Sequence, residues 1–539
     1  MMRARWRWRV AAKTHSCRIS LTGMAKRPTP QHPIATIQSL SPLSDPLHRA
    51  QFEAQREPDT DLDPDDWDAF GVQAHRALDL MLAHVRSIRT QKVWQAAPDD
   101  VRAQFRAPLP HEGHDIAGLI DIFAESILPY GSGNLHPLFA GWVQGAGTPV
   151  GMVADMLASG LNANCGGRNH IALDVEQQIT LWLAEMFGLP RESSGIFVTG
   201  TSVANLVAVL IARSDTLGET VRSRGLAANG RQLTGYTSRE AHVCIEKAFD
   251  MAGIGADFLR KLPVDASGAI RLDALAAAIA RDRADGLLPA IVVGNAGTVN
   301  TGAFDPFDVL ADLCDRENLW FHVDGAFGAL CALAPELRPL IKGMERADTI
   351  ALDFHKWLQV PYDAGFLICR DAEAHQRAFM SSGAYLSRAP SGLAAGEIWP
   401  CDLGPDLSRG FRALKTWFTF QAFGTERLGA MIAETCQIAQ HLAALVETSP
   451  RFELCAPVKL NIVCFSAKAE TPGEDTDALN RAIVMDLHES GVAAPSLTLL
   501  DGKPVIRAAI LNHRTRFSDM DLLIEAASTS AARIRGGVR

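Results

Sequence analysis

The sequence predicts an α/β fold built on a mainly parallel sheet, followed by a smaller α+β region. Three observations carry this. From Gly195 to Cys369 short apolar runs alternate with amphipathic segments, the pattern of a sheet covered by helices on both faces. The polar residues of this region, Thr201, Ser202, Thr298, Asp324 and Lys356, fall where those runs end, which is where ligands bind in such sheets. From about Gly424 the pattern changes to a long helix, short strands and a final helix.

Taken in order, the elements read as follows. Met1 to about Leu47 is rich in Arg and Lys, and the first acidic residue is Asp45. A disordered basic leader over residues 1–62 is expected, with a start at Met24 and a transit peptide as alternatives. The run Asp59–Asp66 lacks the Gly and the final Glu of a calcium loop and reads as an acidic cap. It precedes a helix over Trp67–Ile88, with Phe70, Ala74, Leu78, Met81 and Val85 on one face. His111-Glu-Gly-His114 is too short for a zinc helix and reads as a loop; no metal site is expected.

Gly131–Gly147 is a Gly-rich segment carrying His136, Phe139 and Trp142. Val175–Phe187 reads as a helix. Gly195–Arg213 reads as strand, small-residue turn and helix, and a helix N-terminus with Thr201 and Ser202 suits a phosphate. Tyr236–Ala252 opens as a strand and continues as a helix, with His242 near its start. Pro289–Thr301 is a buried strand with a polar end, and Asp305-Pro306 is expected to cap the helix to Glu317. Ser381–Glu397 is a Gly/Ser/Ala-rich loop holding Tyr385, one of four tyrosines in the chain. Asp501-Gly502 marks a hairpin, and Ser518 with Asp521 suggests a capping box for the last helix. The expected domains are a leader over 1–62, a helical segment over 63–145, a large domain over 146–423 and a small domain over 424–539.

A chain of 539 residues is too long for one simple core. A formal charge of −9 argues against a nucleic-acid surface, and 47% hydrophobic content without a long apolar run argues against a membrane protein. The ten cysteines form no CxxC pair and read as reduced thiols of a cytoplasmic enzyme.

The chemistry centres on Ile350–Cys369, where Asp353-Phe-His-Lys-Trp357 lies between two apolar runs. Burial disfavours an ammonium, so Lys356 is a candidate amine nucleophile. Upstream, Leu319–Leu330 reads as a strand ending at Asp324, followed by Gly325 and Ala326, small enough to admit a ligand. A helix N-cap is the alternative for Asp324. A lysine for a Schiff base and a carboxylate for a pyridinium nitrogen together suit pyridoxal 5′-phosphate.

The segments HVDGAFGA and DFHKW resemble the pyridoxal-phosphate-dependent group II amino acid decarboxylases, and the similarity runs from about Pro64 to the C-terminus. The resemblance implies the fold-type I architecture, an N-terminal segment packed on a second subunit, and a homodimer with shared sites. It implies a cofactor site of Thr201, Ser202, His242, Thr298, Asp324, Ala326, His355 and Lys356, and a substrate pocket lined by His136, Phe139 and Trp142. Asn134 and Trp142 stand where aromatic decarboxylases carry Trp and Tyr. By the same resemblance Lys356 holds the cofactor, Asp324 pairs its ring nitrogen and His242 stacks on the ring. Tyr385 returns a proton to the substrate carbon, directly or through His242. His355 supports the phosphate or the lysine, and Asp353, where relatives often have Asn, is expected to turn away from the phosphate or to pair elsewhere. The expected reaction is decarboxylation of an L-amino acid, an aromatic one first, to the amine. An aminotransferase using Arg507 as a carboxylate clamp, a decarboxylation-coupled aldehyde synthase, and a degenerate pyridoxal-binding protein are the alternatives.

Overall fold

The structure is a computed structural model that describes residues 62–380, 388–396 and 398–537. All but Leu62 of the expected leader, and the Tyr385 segment, lie outside the described residues. From Asp68 onward the chain forms one compact unit.

A two-residue strand, β1 (Phe139–Ala140), precedes the main sheet. That sheet contains β2 (Ser194–Val198), β3 (Leu233–Ser238), β4 (Leu259–Leu262), β5 (Leu288–Asn295), β6 (Trp320–Asp324), β7 (Thr349–Asp353) and β8 (Gly365–Cys369). Their order is β2-β8-β7-β6-β5-β3-β4. The pairings among β3 to β7 are parallel, and only β8 runs against its neighbours β2 and β7. The expected mainly parallel sheet is therefore present, with one reversed strand that the lysine loop feeds.

Side-chain alternation splits this sheet between two cores. Val292, Phe321, Val323, Ile350 and Leu352 face a core shared with the helices Ile171–Phe187 and Phe307–Glu317. Ile291, Val293, Ala351 and Leu367 face the other, packed by the helices Thr201–Leu217 and Cys244–Met251. Burial of both faces explains why these strands read as continuous apolar runs.

The second sheet adds β9 (Phe452–Leu454), β10 (Ile462–Ala467), β11 (Ala494–Leu500) and β12 (Lys503–Ala509), in the order β1-β11-β12-β10-β9. Asp501 and Gly502 join β11 to β12 with φ values of 48° and 80°, the positive-φ turn that suits the twist of a hairpin. The helices Thr476–Ser490 and Phe517–Arg535 cover one face. Ala413–Thr448 is one helix broken at Gly424, where φ is 66° and ψ 163°.

Three local expectations are corrected. Asp305 does not cap the helix Phe307–Glu317; its carboxylate accepts from Ile270 N at 2.7 Å and Asn295 N at 2.8 Å, tying two loops. The last helix starts one residue before Ser518, and Asp519 accepts from Arg516 N at 2.7 Å, so the capping partners are Arg516 and Asp519. The Gly-rich segment also contributes β1, which pairs with β11. Among the described residues no helix is long and apolar enough to cross a membrane.

Arg409 pins the helix Ile171–Phe187 beneath the sheet. It is fully buried, meets Glu176 with two hydrogen bonds of 3.0 and 3.1 Å, and donates to the carbonyls of Cys165 and Phe197. Arg409→Met leaves the Glu176 carboxylate buried and unpaired, so a loss of about 3–5 kcal/mol is expected, read as a lower midpoint in urea unfolding.

Candidate active site

The carboxyl ends of β5, β6 and β7 open into one cavity of about 380 Å³. Asp324, Asp353, His355, Lys356, Thr201, Ser202, His242, Thr298, Ala326 and Trp142 all line it. The parallel sheet accounts for the convergence: each strand ends at the same edge, and the residue after its last apolar position faces the crevice.

Lys356 follows β7 by three residues and is mostly buried. Its Nζ lies 2.9 Å from Asp353 Oδ2. Burial lowers the lysine's affinity for its proton, but the Asp353 charge and hydrogen bond, with Asp324 behind them, outweigh it and hold the pKa above the ordinary value. The sequence argument from burial alone thus has the wrong sign here, because it lacked the paired carboxylate. Asp353 itself is buried, yet Lys356 and His355 overcome the burial and keep its pKa low.

Asp353 pairs with neighbours on both of its oxygens. Its Oδ1 accepts from Thr201 N at 2.7 Å, at the N-terminus of the helix Thr201–Leu217. A helix start attracts an anion, and this carboxylate is the anion within reach. His355 Nδ1 accepts from Ala364 N at 3.0 Å, and Nε2 lies 3.7 Å from Asp353 Oδ2. Burial lowers the His355 pKa, against the Asp353 charge. The His355 ring lies 4.4 Å from that of Tyr362.

Asp324 ends β6. Its Oδ1 accepts from Ala326 N at 3.2 Å and its Oδ2 from Asn205 Nδ2 at 3.1 Å. Burial raises its pKa, opposed by Lys356, the Ala326 N–H, His242 and Asn205. His242 lies at the mouth just before the helix Cys244–Met251, and its Nδ1 accepts from Cys244 N at 3.2 Å, which puts the ring proton on Nε2. Desolvation against the wall lowers its pKa, opposed by Asp324. Thr298 Oγ1 accepts from Ala303 N at 3.0 Å, so part of its capacity serves its own turn.

The Gly-rich segment closes the cavity from one side. A Cβ at Gly145 would stand 2.4 Å from the carbonyl oxygens of both His355 and Lys356, so only glycine lets the segment lie against the lysine loop. Of its expected pocket residues, Trp142 lines the cavity and is half exposed. His136 and Phe139 do not line it. His136 is buried and accepts from Leu138 N at 3.1 Å, and Phe139 sits in β1 within the small-sheet core. Asn134 is also structural, donating to Gly145 O at 2.9 Å. Tyr385 lies outside the described residues.

Sequence reasoning passed over Cys244 and Tyr362, read Asn205 only as part of the phosphate turn that follows Ser202, and weighed Arg507 only as a clamp for another reaction. Arg507 reaches the cavity from β12 and is buried. Its Nη1 donates to Ser496 Oγ at 3.2 Å, while Nε and Nη2 have no protein partner. Thr201 Oγ1 is likewise buried and unpartnered at the helix start. The donor set fits pyridoxal phosphate: a free hydroxyl and helix N–H groups for the phosphate, Lys356 for the carbonyl carbon and Asp324 for the ring nitrogen.

Comparison with known proteins points to the same cofactor. A family model described as the pyridoxal-dependent decarboxylase conserved domain matches residues 98–468. An aromatic-L-amino-acid decarboxylase of Bacillus atrophaeus is 32% identical over 453 residues, covering 83% of this chain and 92% of its own. A histidine decarboxylase of Rattus norvegicus is 28% identical, covering 87% of this chain and 72% of its own. Among solved structures, an Oryza sativa TDC with pyridoxal phosphate and tryptamine shares the fold with a TM-score of 0.81 at 24% identity, covering 88% of this chain and all of that one.

Asp353 carries the prediction for this site. With its folded pKa depressed, its contribution to stability is present above the unfolded value, about 3.9, and is lost as pH falls through the folded value. Asp353→Asn is expected to lose roughly 1–3 kcal/mol at pH 7, reduced by the partial exposure of Lys356. In denaturant unfolding the gap from wild type closes as pH drops below about 4.

Proposed function

The chain belongs to the pyridoxal-dependent decarboxylases, uses pyridoxal phosphate and removes carbon dioxide from an amino acid; on that premise we propose how its own residues divide the work and which substrate they take. The cofactor, when bound, supplies the electron sink for the bond broken at the substrate's α-carbon. Lys356 is the residue that attaches it. Thr201, Ser202 and the helix N–H groups seat its phosphate, with His355 and Ala326 beside them. Asp324 keeps a proton on its ring nitrogen. His242, with its proton on Nε2, orients the ring face, and Tyr385 is the proton donor to the product carbon.

The observation that carries this reading is the meeting of Lys356, Asp324 and the unpartnered Thr201 hydroxyl on one cavity at the carboxyl ends of the sheet. Arg507 receives the substrate carboxylate, because two of its donors are buried in the wall without a protein acceptor. An aromatic L-amino acid is the proposed substrate: Trp142, Phe327 and Tyr362 line the same cavity. Arg507 also supports a second reading, transamination, in which the same guanidinium clamps the carboxylate of an amino acid that keeps it.

The working unit is a homodimer. No residue of the helix Trp67–Ser87 is buried, and Val72, Leu82, Leu119, Ile122 and Ile127 expose large apolar side chains near the N-terminus. The proposed compartment is the cytoplasm, in keeping with free and mostly buried cysteines among the described residues.

Carbon dioxide release and product mass, measured over a panel of L-amino acids with the holoenzyme, test this reading. Amine from an aromatic substrate supports it; keto acid or aldehyde as the main product contradicts it. Arg507→Leu is expected to lower kcat/KM roughly 10–100-fold, the loss of a charge-assisted contact, and Arg507→Lys to restore little of it.

A further inference from the structure

Behind Asp324 runs a line of polar side chains shut off from water. Asn205 and His322 are 0% exposed and Thr349 is 1% exposed. Asn205 Nδ2 donates to Asp324 Oδ2 at 3.1 Å, and Asn205 Oδ1 lies 2.8 Å from His322 Nε2. His322 Nδ1 lies 2.9 Å from Thr349 Oγ1, to which Trp320 Nε1 donates at 2.9 Å.

The fold builds this line from strand geometry. Trp320, His322 and Asp324 alternate along β6 and so share one face. Thr349 stands directly opposite His322 in the β6–β7 register. Asn205 sits one turn beyond Thr201 on the helix that covers this face.

One arrangement of protons satisfies every side-chain contact along the line. An indole N–H only donates, so Thr349 Oγ1 accepts from Trp320 and its own proton can go to His322 Nδ1. An ionised carboxylate only accepts, so the Asn205 amide turns its NH₂ to Asp324 and its oxygen to His322. His322 Nε2 must then carry the ring proton. Burial holds the His322 pKa down at about 3, so the ring is neutral and has one proton to place. The other tautomer, with Nδ1 donating to Thr349 O at 3.2 Å, would turn the Asn205 oxygen onto Asp324 and set two acceptors face to face.

We propose that Trp320, Thr349, His322 and Asn205 form a proton-ordered relay that fixes a donor on Asp324 Oδ2 and so keeps the proton shared with the cofactor on the ring nitrogen, not on the carboxylate. A donor stabilises the ionised carboxylate, which otherwise is the form that burial penalises. These four act through Asp324 and are positioning residues. The proposal rests on the assignment of Asp324 to the ring nitrogen.

The test compares pyridoxal phosphate with its analogue in which carbon replaces the ring nitrogen. Affinity for each is measured by equilibrium dialysis with full-length wild type, Asn205→Leu, Thr349→Val, His322→Gln and Asp324→Asn. Asn205→Leu and Thr349→Val are expected to weaken the natural cofactor by roughly tenfold or more and leave the analogue unchanged. His322→Gln, whose amide can donate to Asn205 and accept from Thr349, is expected to stay close to wild type. With ring-labelled cofactor, the ¹⁵N resonance of Asn205→Leu moves from the pyridinium toward the free pyridine position. Equal weakening for both ligands, or none for either, overturns the relay. Asp324→Asn separates the two levels: if it fails to discriminate between the ligands, the Asp324 assignment falls. If it discriminates while Asn205→Leu and Thr349→Val do not, the relay alone falls.

Discussion

A carboxylate that must stay charged at the end of a buried strand is the constraint around which this site is arranged. Asp324 sits where the sheet is covered on both faces, and burial alone would neutralise it. Four neighbours oppose that: the Lys356 ammonium, the Ala326 N–H, His242 and the Asn205 amide. Each comes from a different part of the chain, the lysine loop, the β6 turn, the turn before the helix Cys244–Met251 and the helix Thr201–Leu217. The charge at Asp324 therefore depends on the packing of the whole sheet edge.

The second carboxylate, Asp353, solves a related problem. It ties the lysine loop to the helix N-terminus, holding Lys356 Nζ and Thr201 N through its two oxygens. Phosphate binding at the same helix start must share or displace that interaction. The small sheet completes the site from the other side. β12 supplies Arg507, and the Gly131–Gly147 segment reaches the cavity only because Gly145 has no side chain.

Much of this was legible in the sequence, and for definite reasons. Apolar runs ending in Asp324 and leading to Lys356 could be placed at strand ends, because a strand buried on both faces leaves a continuous signature. The strand–turn–helix at Thr201 was legible from small residues followed by helical periodicity. What sequence could not supply was who faces whom. Asp353 looked like a liability near a phosphate, but a helix N–H and an ammonium claim it. His136 and Phe139 shared a segment with Trp142, yet His136 is buried away from the cavity and Phe139 packs in the small-sheet core, its ring 5.8 Å from that of Trp142. Asn205 and His322 are ordinary residues in one dimension; only the β6–β7 register and the helix phase bring them into line behind Asp324.

The attachment of the cofactor to Lys356 is the claim on which the rest stands. Borohydride reduction of the holoenzyme, followed by peptide mass mapping, reads it directly. The account predicts a pyridoxyl phosphate mass on the peptide containing Lys356, absent from Lys356→Ala. A label on another lysine, or an unchanged label in Lys356→Ala, would contradict it.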